Sequence, residues 1–196
     1  MSELSKKKVV AITGSMGAGK SQVSQFIAKK YPVLDCDRVN ARLIEPDGLG
    51  FKQLKEKGLI QVLENGQLDK AQLSKDMFSN PSIKKEVESI LHTLINEEIE
   101  KWIAQQEVSL LFVEVPLLFE THWENRFDEV WCVVSDQEVS LYRLETYRHI
   151  PKEEAKRRWA NQWSVEEKKK KSDVVIENNG SLEELEEKVN EILRKE

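Results

Sequence analysis

Cysteine is scarce. Cys36 and Cys132 are the only two in 196 residues, and both lie in apolar, strand-like segments. They allow no disulfide framework and no metal-ligand spacing, so a reducing cytoplasm is the expected setting. Long apolar runs are missing as well. Nothing approaches the roughly 20 residues of a membrane span. The lysine-bearing opening stretch, Met1–Val10, holds no apolar core of signal-peptide length. A basic surplus is also absent: 30 Lys and Arg against 35 Asp and Glu leave a net charge of −5. That balance argues against a nucleic-acid partner. The one dense basic run, Lys168–Lys171, reads as a solvated helix face or turn. The expectation is a soluble cytoplasmic protein without membrane or nucleic-acid partners, and protein partners stay open.

What is present is an alternation of two patterns. Nearly continuous apolar runs occur at Lys8–Thr13, Val33–Cys36, Leu110–Val115, Glu129–Val134 and Val174–Glu177. Such runs suit strands buried on both faces of a parallel sheet. Helical spacing follows at Ser21–Lys30, Ile83–Gln106, Gln137–Tyr147, Lys152–Trp163 and Ser181–Lys195. The alternation predicts an α/β, doubly wound, mainly parallel five-stranded sheet. Between about residues 37 and 109 no strong strand pattern appears, and Leu43–Pro81 carries Gly48, Gly50, Gly58, Gly66 and two prolines; the insertion is placed at about 40–109. That stretch is expected to be a helical, substrate-side insertion in a single domain spanning 1–196, with a helical lid over about 140–165.

The stretch Gly14-Ser-Met-Gly-Ala-Gly19-Lys20-Ser21 fits G-x-x-x-x-G-K-[ST] without a mismatch. Its glycines let the backbone curl so that successive amides cradle phosphate oxygens. Gly17, Ala18, Gly19, Lys20, Ser21 and Gln22 are therefore the expected ATP-binding residues, with Lys20 on the β- and γ-phosphates and the Ser21 hydroxyl on Mg²⁺. A strand before the loop and a helix after it are the context that gives the motif meaning.

Carboxylates and arginines then suggest where the phosphate goes. Asp35 and Asp37, in "VLDCD", lie at or just past a strand end, where α/β proteins gather ligands. If the strand continues through Asp37, alternation aims both carboxylates to one side. Either could accept a hydroxyl proton, help hold Mg²⁺, or simply cap the next helix. Glu114 sits among apolar residues, where Mg²⁺ or a basic side chain is its natural partner. After Pro116, the residues Leu117, Leu118 and Phe119 offer an apolar surface. Arg143, Arg148, Arg157 and Arg158 occupy two helical patterns that resemble a lid closing over the γ-phosphate. A small-molecule kinase accounts for this set. A related nucleotide kinase and an ATP-driven switch are the alternatives, the latter having no use for an acceptor base.

Taken in order, "GSMGAGKS", "VLDCD", the histidine of "ILHTLI", "VPLLFE", Gln162–Lys168 and "DVVIENNGS" resemble the dephospho-coenzyme A kinase family. The resemblance covers nearly the whole chain. It implies transfer of the ATP γ-phosphate to the ribose 3′-hydroxyl of dephospho-coenzyme A, with ATP and Mg²⁺ required. It implies Asp37 as the general base with Lys20 and Arg143 as its catalytic companions. It puts Asp35, His92, Leu117, Phe119 and Arg148 toward the acceptor, Asn178, Asn179 and Gly180 near the adenine, and Ser21 and Glu114 on the metal. It also turns the insertion into a coenzyme A subdomain. Departures from the family pattern are Thr93 after His92 in place of proline, Gln22 in place of threonine and Glu114 in place of aspartate. The lid arginine spacing differs too, so Arg143 and Arg148 compete for one role.

Overall fold

The first apolar run becomes the middle of the sheet. Strand β1 (Lys8–Gly14) pairs in parallel with β3 (Leu110–Glu114) on one side and β4 (Glu129–Val134) on the other. Strand β2 (Val33–Asp35) continues beyond β3, and β5 (Val174–Glu177) beyond β4. The order is β2-β3-β1-β4-β5, every pair parallel. The computed structural model describes residues 7–196. Parallel neighbours need crossovers, which cover the sheet faces and explain why Val9–Gly14 and Leu111–Glu114 are buried without a break.

Helices α1 (Lys20–Ala28) and α9 (Leu182–Leu193) supply one covering layer. Their Val23, Ile27, Leu185 and Val189 pack with Val10, Ile12, Phe112, Trp131, Val133 and Ile176. The rings of Phe112 and Trp131 meet edge to face, centroids 5.2 Å apart. A reciprocal capping box between Ser181 and Glu184 starts α9.

The chain forms two compact units. The first carries the sheet and consists of the chain up to Asp35 and from Glu107 onward. The second, Cys36–Gln106, holds helices α2 (Cys36–Leu43), α3 (Leu49–Glu56), α4 (Lys70–Ser79) and α5 (Pro81–Gln105). Phe51, Leu54, Leu73 and Val87 form its core. Helix α4 is capped by the Asp69 side chain. Helix α5 is capped by Asn80, with Pro81 in its first turn, where a missing N–H costs nothing. It runs unbroken through Thr93, whose Oγ1 donates to the Ser89 carbonyl at 2.8 Å, so the change from proline starts no new helix there.

Three expectations need correcting. The second strand stops at Asp35, and Cys36 opens α2 as a buried helical residue, not a strand residue. The helix that starts at Lys152 ends at Trp159 as α7, following α6 (Gln137–Arg148). A new capping box at Ser164 and Glu167 then begins α8 (Val165–Lys170), which is why the pattern does not continue to Trp163. The basic run is not all solvated, because Lys168 is fully buried. Among the described residues no helix is long and apolar enough to cross a membrane.

Candidate active site

The phosphate loop leaves β1 at Gly14, whose φ is +145°. A Cβ there would lie 2.0 Å from the Val133 carbonyl oxygen, so a side chain would displace β4. Gly19, at φ +98°, is the N-cap of α1, and Lys20 is its first residue. The first-turn amides of a helix have no acceptor within it. Helix α1 has no acidic residue in that turn to offset its positive end. The Lys20 ammonium reaches back to the carbonyls of Gly14 and Ser15, 3.1 Å from each, and so lies over the loop. Gly17, Ala18, Gly19, Lys20, Ser21 and Gln22 thus share one tight turn into a helix, the arrangement that binds phosphate.

Next to it is an acidic edge. Ile12, Glu114 and Asp35 stand in register across β1, β3 and β2. Glu114 is 6% exposed. Burial pushes its carboxyl above the usual carboxylate range, and the Asp35 charge pushes the same way. The Lys20 charge and a hydrogen bond from Ser21 oppose the rise. Ser21 Oγ donates to Glu114 Oε1 at 3.4 Å. Among the described residues no trio of His, Cys, Asp or Glu is placed to hold a metal. Mg²⁺ needs none, since it takes one or two carboxylates and completes its shell with substrate phosphates and water. A hydroxyl beside a buried carboxylate with another acid in register is a hard-oxygen set that fits it.

Asp37 is not aligned with Asp35 by strand alternation, since the strand has already ended. It lies exposed in the first turn of α2, where successive residues turn by about 100°. His92 is half-buried on α5.

The arginine region docks onto the loop. Leu141, Leu144 and Ala155 of α6 and α7 form a small core with Met16, Ile150 and Trp159. Trp159 Nε1 donates to the Met16 carbonyl at 3.2 Å. Arg143 donates through Nη1 to the Asn178 carbonyl at 2.9 Å and through Nη2 to Asn178 Oδ1 at 3.2 Å. Arg148, the last residue of α6, is exposed. The structure therefore brings Arg143, not Arg148, to the segment after β5. Within that segment Asn179 Oδ1 accepts from the Asp136 amide at 2.8 Å, and Gly180 is exposed.

The apolar surface expected after Pro116 shrinks to Leu117, which is 45% exposed. Leu118 and Phe119 are fully buried, and the Phe119 ring stacks on Trp163 at 5.7 Å. Phe119 thus packs inside the protein and offers no face to an acceptor. Next to it, Glu120 Oε1 lies 2.8 Å from the buried Lys168 ammonium and accepts the Trp163 amide at 2.9 Å. The Glu120–Lys168 pair was not foreseen, and Asn178, expected beside the adenine, also holds the phosphate loop and Arg143. Only Asn178 carried a readable signal: it falls two positions after Ile176, on the same inward side of an alternating run.

A family model described as Dephospho-CoA kinase matches residues 8–184. A Streptococcus pneumoniae protein named Dephospho-CoA kinase is 35% identical over 183 residues, covering 91% of this chain and 90% of that protein. One of the same name from Staphylococcus saprophyticus is 31% identical over 193 residues, covering 96% and 94%. A solved structure from Thermus thermophilus superposes with a TM-score of 0.85 at 32% identity, covering 97% of this chain and 98% of that one. The dephospho-CoA kinase of Campylobacter jejuni, at 24% identity and TM-score 0.70 over 96% of each chain, shares the fold.

Proposed function

From the premise that this chain belongs to the dephospho-CoA kinase family, we propose how its own residues carry out the reaction. The family uses ATP to phosphorylate dephospho-CoA, the last step of coenzyme A synthesis, and the protein is a kinase of that kind. The acceptor atom in this reading is the ribose 3′-hydroxyl. One observation carries the phosphoryl-transfer reading: the phosphate loop opens beside Ser21 and Glu114, 3.4 Å apart, with Asp35 in register.

The amides of Gly17–Ser21 and the Lys20 ammonium hold the triphosphate. Asp37 orients the acceptor hydroxyl and takes its proton as the oxygen attacks the γ-phosphorus. The bond to the β-bridging oxygen breaks, and ADP leaves. Arg143 neutralises charge on the transferred group. Because phosphoryl transfer passes through a loose transition state, positioning and charge outweigh base strength. Ser21 and Glu114 would hold Mg²⁺, which when bound offsets negative charge on the β- and γ-phosphates. Asp35, His92, Leu117 and Arg148 face the acceptor in this reading, while Asn179 and Gly180 border the adenine. Residues of about 40–109 form the coenzyme A subdomain and those of about 140–165 the lid. The setting is the cytoplasm.

The test is to offer ATP with dephospho-CoA, adenosine and AMP separately and to locate the new phosphate by phosphorus NMR. A 3′-phosphate on dephospho-CoA alone is the expected result. Phosphorylation of adenosine or AMP but not of dephospho-CoA would overturn the reading.

A further inference from the structure

Asn178 follows β5 and is held there by its own amide, which donates to the Val134 carbonyl at 2.8 Å. It is 4% exposed. Its side chain does two things at once. Nδ2 donates to the carbonyl of Ala18 in the phosphate loop at 2.8 Å. Oδ1 and the main-chain carbonyl together receive Arg143. We propose that Asn178 is the positioning residue that sets the phosphate-loop amide of Gly19 and the lid arginine in register with each other. This rests on the reading of Arg143 given above.

The argument starts from peptide geometry. A trans peptide points its N–H opposite to its C=O. Fixing the Ala18 carbonyl toward Asn178 therefore fixes the Gly19 N–H away from Asn178, one of the amides that meet phosphate in such loops. The approach depends on Gly19 having no side chain, since a Cβ there would lie 2.3 Å from Asn178 Nδ2. On the other side, two donors of one guanidinium grip two oxygens of one residue, which fixes the position of the Arg143 plane. A structural asparagine would need only its own hydrogen bonds satisfied. Here the partners are a phosphate-loop carbonyl and a lid arginine, so an error in Asn178 reaches both the donor site and the group that meets the transferred charge.

Two variants separate the halves. Asn178→Asp keeps oxygens for Arg143 but replaces the Ala18 donor with a repelling carboxylate. Asn178→Leu removes the Ala18 donor and the Oδ1 acceptor together, leaving Arg143 only the main-chain carbonyl. Losing a buried hydrogen-bond partner corresponds to roughly tenfold in binding. Asn178→Asp is expected to raise KM for ATP about tenfold and to move kcat by less. Asn178→Leu should raise KM and also lower kcat about tenfold, and it should lower kcat no further in an Arg143→Met background. Equal effects of Asn178→Asp on kcat and KM overturn the proposal. So do wild-type constants for both variants, or kcat losses that multiply in the double variant. If Asn178→Leu fails to fold, the kcat-against-KM split of Asn178→Asp decides alone. An unchanged kcat in Arg143→Met by itself sinks the role given to Arg143, while the KM rise of Asn178→Asp still judges the link to the loop.

Discussion

The indole Nε1 of Trp159 donates to the carbonyl of Met16, 3.2 Å away, across a separation of 143 residues. Met16 also packs in the same small core as Trp159, so helix α7 touches the phosphate loop by both an apolar and a polar contact. Trp159→Phe keeps most of the apolar contact and removes the donor. A neutral hydrogen bond contributes on the order of 1 kcal/mol, so ATP affinity should fall by about fivefold. Calorimetric titration of ATP into both proteins checks this, and an unchanged affinity in Trp159→Phe would mean that the contact of α7 with Met16 does not bear on the loop.

Lys168 has a fully buried side chain, and Glu120, its partner at 2.8 Å, is 14% exposed. Removing one member of a buried pair leaves an uncompensated charge and costs about 3–5 kcal/mol. Lys168→Met should therefore unfold at markedly lower urea concentration than the wild type. Adding Glu120→Leu should recover part of the loss, because two apolar groups can pack where an ion pair stood, although the Trp163 amide then loses its acceptor. Lys169→Met touches only a partly exposed ammonium beside Glu177, so it should cost less than about 1 kcal/mol. A Lys168→Met protein as stable as Lys169→Met would show that the buried pair contributes nothing.

These two contacts mark where sequence reading stops. Strands β4 and β5 were legible to the residue, because their apolar runs are continuous and bounded by polar neighbours. The phosphate loop was legible because its spacing has a mechanical cause. Strand β2 is only Val33–Asp35, too short for its end to be read, and the strand-like Cys36 hid the start of α2. The alignment of Asp37 with Asp35 was lost for that reason alone. Nothing local distinguishes Lys168 from Lys169, Lys170 and Lys171. Its burial is set by Glu120, which arrives from a loop 48 positions earlier in the chain. Phe119 is likewise committed by Trp163, a partner that no periodicity reveals.

Glu114 gives a dependence on pH whose sign can be worked out. Burial, aided by Asp35, raises its carboxyl above the usual range in the folded chain. As pH rises, the unfolded chain loses this proton first. The group therefore costs stability once pH has passed from its unfolded value through its folded one, and costs none below both. Glu114→Gln should raise the melting temperature near about pH 8 and leave it almost unchanged near about pH 3.5, below the ordinary glutamate value. The same variant should lose the extra stabilisation that Mg²⁺ with ATP gives the wild type. A lower melting temperature for Glu114→Gln at the higher pH, without Mg²⁺, would contradict the assignment.

Asp37 carries the most specific chemical claim. It lies exposed in the first turn of α2, two residues past the acid that ends β2. As the base for the acceptor hydroxyl it makes no contact with the triphosphate that a neutral amide would lose. Asp37→Asn should therefore bind ATP with near-normal affinity by calorimetry while turnover on dephospho-CoA falls ~10²-fold or more, within the usual size of acid–base effects. The binding measurement separates this from a general defect, since misfolding would lower affinity and turnover together. Turnover by Asp37→Asn at the wild-type rate would remove Asp37 from the reaction and leave Asp35, in register with Glu114, as the next acid to replace.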